Sequence, residues 1–129
     1  MKRDTFLLIA ALVPLAFGLV MMFAPGMMLS NSLVEEAGLQ THAVARWVGF
    51  GVFSMGIITL LARHDKGSIA LRSIMTGNVV FHLLGLFFDT SDYFTGVMTF
   101  SGLITGLIPH ALLIMGFVYF LLKLPKSQL

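Results

Sequence analysis

The chain contains no cysteine, which excludes a disulfide framework, a thiolate metal site and a cysteine nucleophile, and leaves its redox compartment unread. Charge is scarce too: Asp, Glu, Lys and Arg together make up 11% of the residues, and the few basic ones are scattered among short segments. Without a basic patch or stripe, a nucleic-acid partner is not expected. No N-x-[ST] sequon and no prenylation or other lipidation motif occurs. Neither a repeat of about 20 to 50 residues nor a low-complexity linker is found, so the chain reads as a single domain.

Apolar residues are abundant instead, at 57% of 129 residues, more than a soluble domain of this length can bury. They gather into four runs, 6–23, 42–62, 69–88 and 100–122. Each approaches or reaches the roughly 20 residues that a helix needs to cross a hydrocarbon core about 30 Å thick. The expected fold is all-α, a polytopic membrane protein built as an up-down four-helix transmembrane bundle. Lys2 and Arg3 before the first run resemble the start of a secretory signal, but no A-x-A site follows the run, and it is read as a span.

The charges assign a topology. Lys2 and Arg3 precede the first run, Arg63, Lys66 and Arg72 surround the second loop, and Lys123 and Lys126 follow the last run. Glu35, Glu36, Asp89 and Asp92 lie at the opposite ends. By the positive-inside rule both termini are expected in the cytoplasm, with the protein in a cell inner membrane. In the first outer loop, Ser32 and Glu35 have the spacing of a capping box and Gly38 suits a helix stop, so a short interfacial helix is expected over Leu33 to Ala37. Thr41 is the expected cap of the second span and Ser68 that of the third. Pro14 and Pro109 each remove a helical hydrogen bond, and a bend at Pro109 would widen the bundle beside His110.

The polar exceptions inside the runs carry the functional argument. On a helix Asn78, His82, Gly85 and Asp89 fall on one face, a polar stripe through an otherwise apolar segment. At about 1.5 Å per residue, Arg46 lies roughly 6 Å, His82 roughly 10 Å, His110 roughly 15 Å and Asn78 roughly 16 Å from the outer ends of their spans. Ionisable groups at such depths are costly and face the bundle interior, so they are candidate functional residues. Arg46 can also snorkel and pair with Asp89 or Asp92 as an anchor. His64, beside Asp65 in a short loop, reads as a solvated residue.

Several chemistries fit these residues. Arg46, Asn78, His82, Asp89 and His110 can line an outer-leaflet pocket for a hydrophobic or amphiphilic ligand such as a quinone, a lipid or a sterol-like molecule. His82 and His110 can instead bracket a haem b or share a metal, for which a third or fourth ligand could come only from Asp89, Glu35 or Glu36. They can act as bases in a proton-transfer enzyme, with Asp89 tuning them. They can also simply join helices by hydrogen bonds with no ligand. A covalent hydrolase is disfavoured, because Ser54, Ser73, Ser101 and Thr105 have no His-acid partner at their depth. An accessory subunit is a further alternative, docking a partner membrane protein or a second copy through Gly49 with Gly56 and Gly102 with Gly106.

The segment ARWVGFGVFSMGIITLLAR, with a following span that ends HLLGLFFD, resembles the small bacterial four-helix membrane proteins grouped as DoxX-like. The matching positions are Arg46, Gly49, Gly56, Ala62 and Arg63, then Gly85 and Asp89. The resemblance spans about residues 43–89 and implies an up-down bundle in a bacterial inner membrane. His110 departs from an acidic residue in some of these proteins.

Overall fold

The computed structural model describes residues 2–125; Lys126, one of the charges used for topology, lies outside them. Five helices follow in order: α1 (Arg3–Phe23), α2 (Pro25–Ser32), α3 (Leu39–Ala62), α4 (Ile69–Phe94) and α5 (Phe100–Lys123). Among the described residues there is no strand, only an isolated bridge between Leu33 and Met98. α1, α3, α4 and α5 are long and apolar enough to cross a membrane, with 21, 24, 26 and 24 residues. The most apolar window of α1 is 33% buried and those of the other three are 22% buried, so most of each helix faces outward. Trp47, Phe50, Leu61, Phe87 and Leu122 are among the large apolar side chains left exposed, an arrangement that lipid solvates and water does not.

The bundle is assembled from two tight antiparallel pairs. α1 and α3 meet almost backbone to backbone: a Cβ on Gly49 would stand 2.7 Å from Met21 Cβ, and one on Gly56 would stand 3.0 Å from the Ala11 carbonyl oxygen. Small residues permit this approach, which maximises dispersion contact where no hydrophobic drive separates helix from lipid. α4 and α5 form the second pair, with Gly85 against His110 and Gly106 against Asp89. The glycines that offered docking faces in the sequence are therefore used inside the chain, Gly49 and Gly56 on α1, Gly102 on Ser32 and Met98, Gly106 on Asp89. Gly49, Gly56 and Gly102 are buried by these contacts, and Gly106 is partly exposed.

The two pairs join firmly at the end that carries the termini. Phe6, Leu7, Ala10, Leu71, Met75, Leu113, Phe117, Phe120 and Leu124 form one core cluster there. Phe6 stands edge-on to Phe117 at 5.0 Å and stacks on Phe120 at 5.1 Å. Polar contacts close the same end: Arg3 donates to the Asp65 carbonyl, His64 Nδ1 lies 3.5 Å from Asp4, and Arg72 donates to the Leu124 carbonyl at 3.0 Å. Asp65 accepts from the Ser68 amide, the Ser68 hydroxyl and the Gly67 amide, and these bonds hold its carboxyl below the usual carboxylate range. Ser68 caps α4 by accepting from the Leu71 amide.

The opposite end departs from the sequence-based expectation in three places. The short helix is α2, at Pro25–Ser32, and not Leu33–Ala37; residue 33 is extended and caps its C-terminus. Pro25 sets this start, because proline at the first helical position lacks only an amide that would have been unpaired anyway. Ser32 does not open a capping box, since its carbonyl accepts from the Thr99 amide at 2.8 Å while the Val34 amide donates to the Val97 carbonyl. These bonds fasten α2 to the α4–α5 turn. α3 begins at Leu39 with Gly38 at its cap, not at Thr41. α4 runs past Asp89 to Phe94 and ends where Gly96 takes a φ of 78°, a left-handed stop that glycine adopts without strain.

Candidate functional site

Between the two helix pairs, beneath α2, lies a cavity of about 300 Å³. Its walls come from α1 (Val13, Pro14, Phe17), α3 (Val48, Val52), α4 (Phe81, His82, Asp89) and α5 (Thr105, Pro109, His110, Leu113), with Met28, Leu29 and Ser32 of α2 above. The surface is mainly apolar. It lies beside Pro109 and His110, where the sequence pointed to a wider bundle, although the helix is unbroken there. Two larger depressions, of about 500 and 450 Å³, also flank the Glu36–Leu39 loop at the surface.

Three of the expected site residues come together at this cavity. His82 and His110 meet directly, Nδ1 to Nδ1, at 2.7 Å. His110 Nε2 lies 3.7 Å from Asp89 Oδ2. Gly85 and Gly106 make room for both contacts: a Cβ on Gly85 would sit 2.5 Å from His110 Nε2, and one on Gly106 would overlap the Asp89 carboxylate. The result is a continuous line, Asp89 to His110 to His82, along the α4–α5 seam. His82 is 3% exposed, Phe81 stands edge-on to it at 5.3 Å and Phe117 stacks beneath it at 6.1 Å. Its Nε2 atom is buried and has no hydrogen-bond partner. Asp89, five residues before the end of α4, is partly exposed and connects the line to the α2 end.

Asn78 is buried one turn deeper than His82 and does not line the cavity. Its Nδ2 donates to the Ile74 carbonyl at 2.9 Å and to Thr59 Oγ1 at 3.2 Å, which links α4 to α3. Thr59, 1% exposed, was missed in the sequence; a lone threonine in an apolar run at the depth of Asn78 was the available signal. Arg46 does not join the site. It is exposed beside Glu36, Leu39 and His42 and makes no ion pair with Asp89 or Asp92. The reason is the α1–α3 seam, which takes Ala45, Gly49 and Gly56 inward and rotates Arg46 to the margin, where its long chain reaches the interface.

The geometry also bears on the chemistries left open above. Two imidazoles bracketing one iron or zinc would hold their ligating nitrogens ~4 Å apart, given metal–nitrogen bonds of about 2 Å. The Nδ1 atoms here bind each other with no space for an ion between them. Among the described residues no group of three or more His, Asp or Glu could hold a metal ion. What the arrangement can do is share a proton between His82 and His110 through the 2.7 Å contact, with the partly exposed Asp89 carboxylate 3.7 Å beyond and outside hydrogen-bond distance. No protein-family model, curated protein or solved structure matches the chain.

Proposed function

We propose that this chain is a DoxX-like inner-membrane protein whose bundle cavity binds a hydrophobic or amphiphilic ligand. The supporting observation is the cavity of about 300 Å³, apolar along Phe17, Val52 and Leu113 and polar at one end, where Asp89, His110 and His82 meet. A ligand with an apolar body and a small polar head matches that division, as ligand sites generally pair an apolar wall with a few placed polar groups. The ligand enters from the lipid, beneath α2, and its head reaches the histidines.

The orientation follows from the ends of the bundle. Arg3, Arg63, Arg72 and Lys123 gather where α1 begins and α5 ends, while Glu35 and Glu36 lie at the α2 end. Both termini are therefore assigned to the cytoplasm and α2 to the outer face. Alkaline phosphatase fused after Glu36 should be active and fused after Lys66 inactive; the reverse pattern would invert the assignment.

For the cavity, the full chain is purified into nanodiscs and extracted with organic solvent for mass spectrometry, beside a Val52→Trp variant that fills the space. The wild type should retain an amphiphile that the variant lacks. Identical extracts from the two proteins would overturn the ligand reading.

A further inference from the structure

We propose that Asp89, His110 and His82 form a proton relay ending in a buried acceptor, His82 Nε2, which selects a ligand headed by a hydroxyl group. This rests on the cavity reading above and specifies the head group.

The relay follows from proton counting. A neutral imidazole carries one N–H, and a 2.7 Å contact between two Nδ1 atoms holds one proton, so one ring donates there and the other accepts. The two Nε2 atoms must then differ: one bears a hydrogen and one a lone pair. His110 Nε2 faces the Asp89 carboxylate, which accepts and does not donate, so the hydrogen belongs on His110 Nε2. His110 Nδ1 is thereby the acceptor, His82 Nδ1–H the donor, and His82 Nε2 a lone pair. That lone pair is the buried atom without a partner.

Asn78 keeps a second unpartnered acceptor one turn deeper, outside the cavity lining. Thr59 donates its hydroxyl hydrogen to the Met55 carbonyl at 2.9 Å, so Thr59 presents a lone pair to Asn78. With the Ile74 carbonyl as its other neighbour, the Asn78 amide must point its NH2 at both, and Oδ1 is left buried without a donor. Asn78 and His82 are one helical turn apart on the same buried face. The unpartnered His82 Nε2, on the residue that lines the cavity, carries a desolvation cost in this water-poor interior that a donor on the ligand removes. A phosphate, ester or ketone head supplies only acceptors and is rejected; a phenolic or enolic hydroxyl supplies the missing hydrogen.

The same line carries the proton away. The ligand O–H bond breaks as N–H forms at His82 Nε2; the N–H at His82 Nδ1 breaks as one forms at His110 Nδ1; and, once the Asp89 carboxylate closes from 3.7 Å to hydrogen-bond distance, the N–H at His110 Nε2 breaks as O–H forms on Asp89. One proton has moved from ligand to Asp89, no electrons have transferred, and the negative charge has passed from the carboxylate to the ligand oxygen. Asp89, on the partly exposed side, releases the proton toward the α2 end.

The test uses the full chain in nanodiscs with ¹⁵N-labelled histidine and two probes that differ by one methyl group on oxygen, para-octylphenol and its methyl ether para-octylanisole. The expected nitrogen shifts place the hydrogen of His82 on Nδ1, the less common tautomer, and that of His110 on Nε2. The phenol should bind about tenfold more tightly than the ether, the effect of about one hydrogen bond to a buried acceptor. His82→Phe should make the two affinities equal. Asp89→Asn, whose amide can donate as well as accept, should mix the His82 tautomers and lower the ratio to below about threefold. A His82 hydrogen on Nε2 in the wild type, or an Asp89→Asn protein with unchanged His82 shifts, would overturn the relay. Equal binding of phenol and ether to a wild type with the expected tautomers would overturn the hydroxyl head group. If neither probe binds, the cavity reading and the head-group selection fail together, and the nitrogen shifts still decide the relay.

Discussion

The two ends of the bundle use their interiors differently. At the terminal end, Phe6, Leu7, Leu71, Met75 and Phe117 fill the space between the helix pairs, and arginines tie loop carbonyls across it. At the α2 end the same two pairs stand apart around a cavity of about 300 Å³, and the polar groups His82, His110 and Asp89 lie on its α4–α5 wall. Both ends contain similar residues in the same four helices, so the contrast comes from packing. A small membrane protein can keep an open, polar site where one end closes without gaps and fixes how the helices are placed at the other.

That contrast can be broken from the closed end first. Leu7→Ala removes a side chain 1% exposed from the filled end and should lower stability by about 2–5 kcal/mol, read from unfolding in mixed micelles with increasing denaturing detergent. A loss below about 1 kcal/mol would mean that the filled end does not hold the pairs together. Between the two ends, Thr59→Val deletes the acceptor of Asn78 and should cost about 1 kcal/mol, the usual size of an interhelical hydrogen bond in lipid. In a double-mutant cycle with Asn78→Ala, a coupling near zero would show that the contact contributes nothing.

The open end should respond in the opposite sense. Val52→Trp adds bulk where there is space, so stability should change by less than about 1 kcal/mol while ligand retention is lost. A large destabilisation would show that the cavity is filled in the membrane by the protein itself.

The smallest effect concerns the α3–α4 turn. The Asp65 carboxyl has a lowered pKa because the Ser68 amide and hydroxyl and the Gly67 amide donate to it. A depressed folded-state value contributes stability that is present above the ordinary value of 3.8 and is lost as pH falls through the lowered one. Hydrogen exchange at the Ser68 amide should therefore remain protected at pH 5 and become faster, relative to neighbouring amides, only below the ordinary carboxylate range. Asp65→Asn should remove that pH dependence.

Much of this contrast was legible as pattern. Four apolar runs of spanning length, the Ser68 cap and the alignment of Asn78, His82, Gly85 and Asp89 on one helical face are properties of short stretches, because helical period and bilayer thickness act locally. The Ser32–Glu35 spacing does not locate α2, because Pro25 starts that helix further upstream, where proline lacks only an amide that would be unpaired anyway. Depth along its span puts Arg46 level with the site, and its helical spacing to Gly49 and Gly56 puts it beside that glycine face. Spacing does not say which neighbour a glycine face meets, and that face meets α1.

The sequence by itself determined an all-helical chain with four apolar spans and a polar stripe on the third, since those follow from composition and a period of 3.6 residues. Only the tertiary structure decided that His82 touches His110 through Nδ1, that Asp89 reaches the far side of that ring, that Asn78 turns to Thr59 and that Arg46 stays outside. These depend on the rotation of each helix about its axis and on its choice of partner, which glycine contacts between distant segments set.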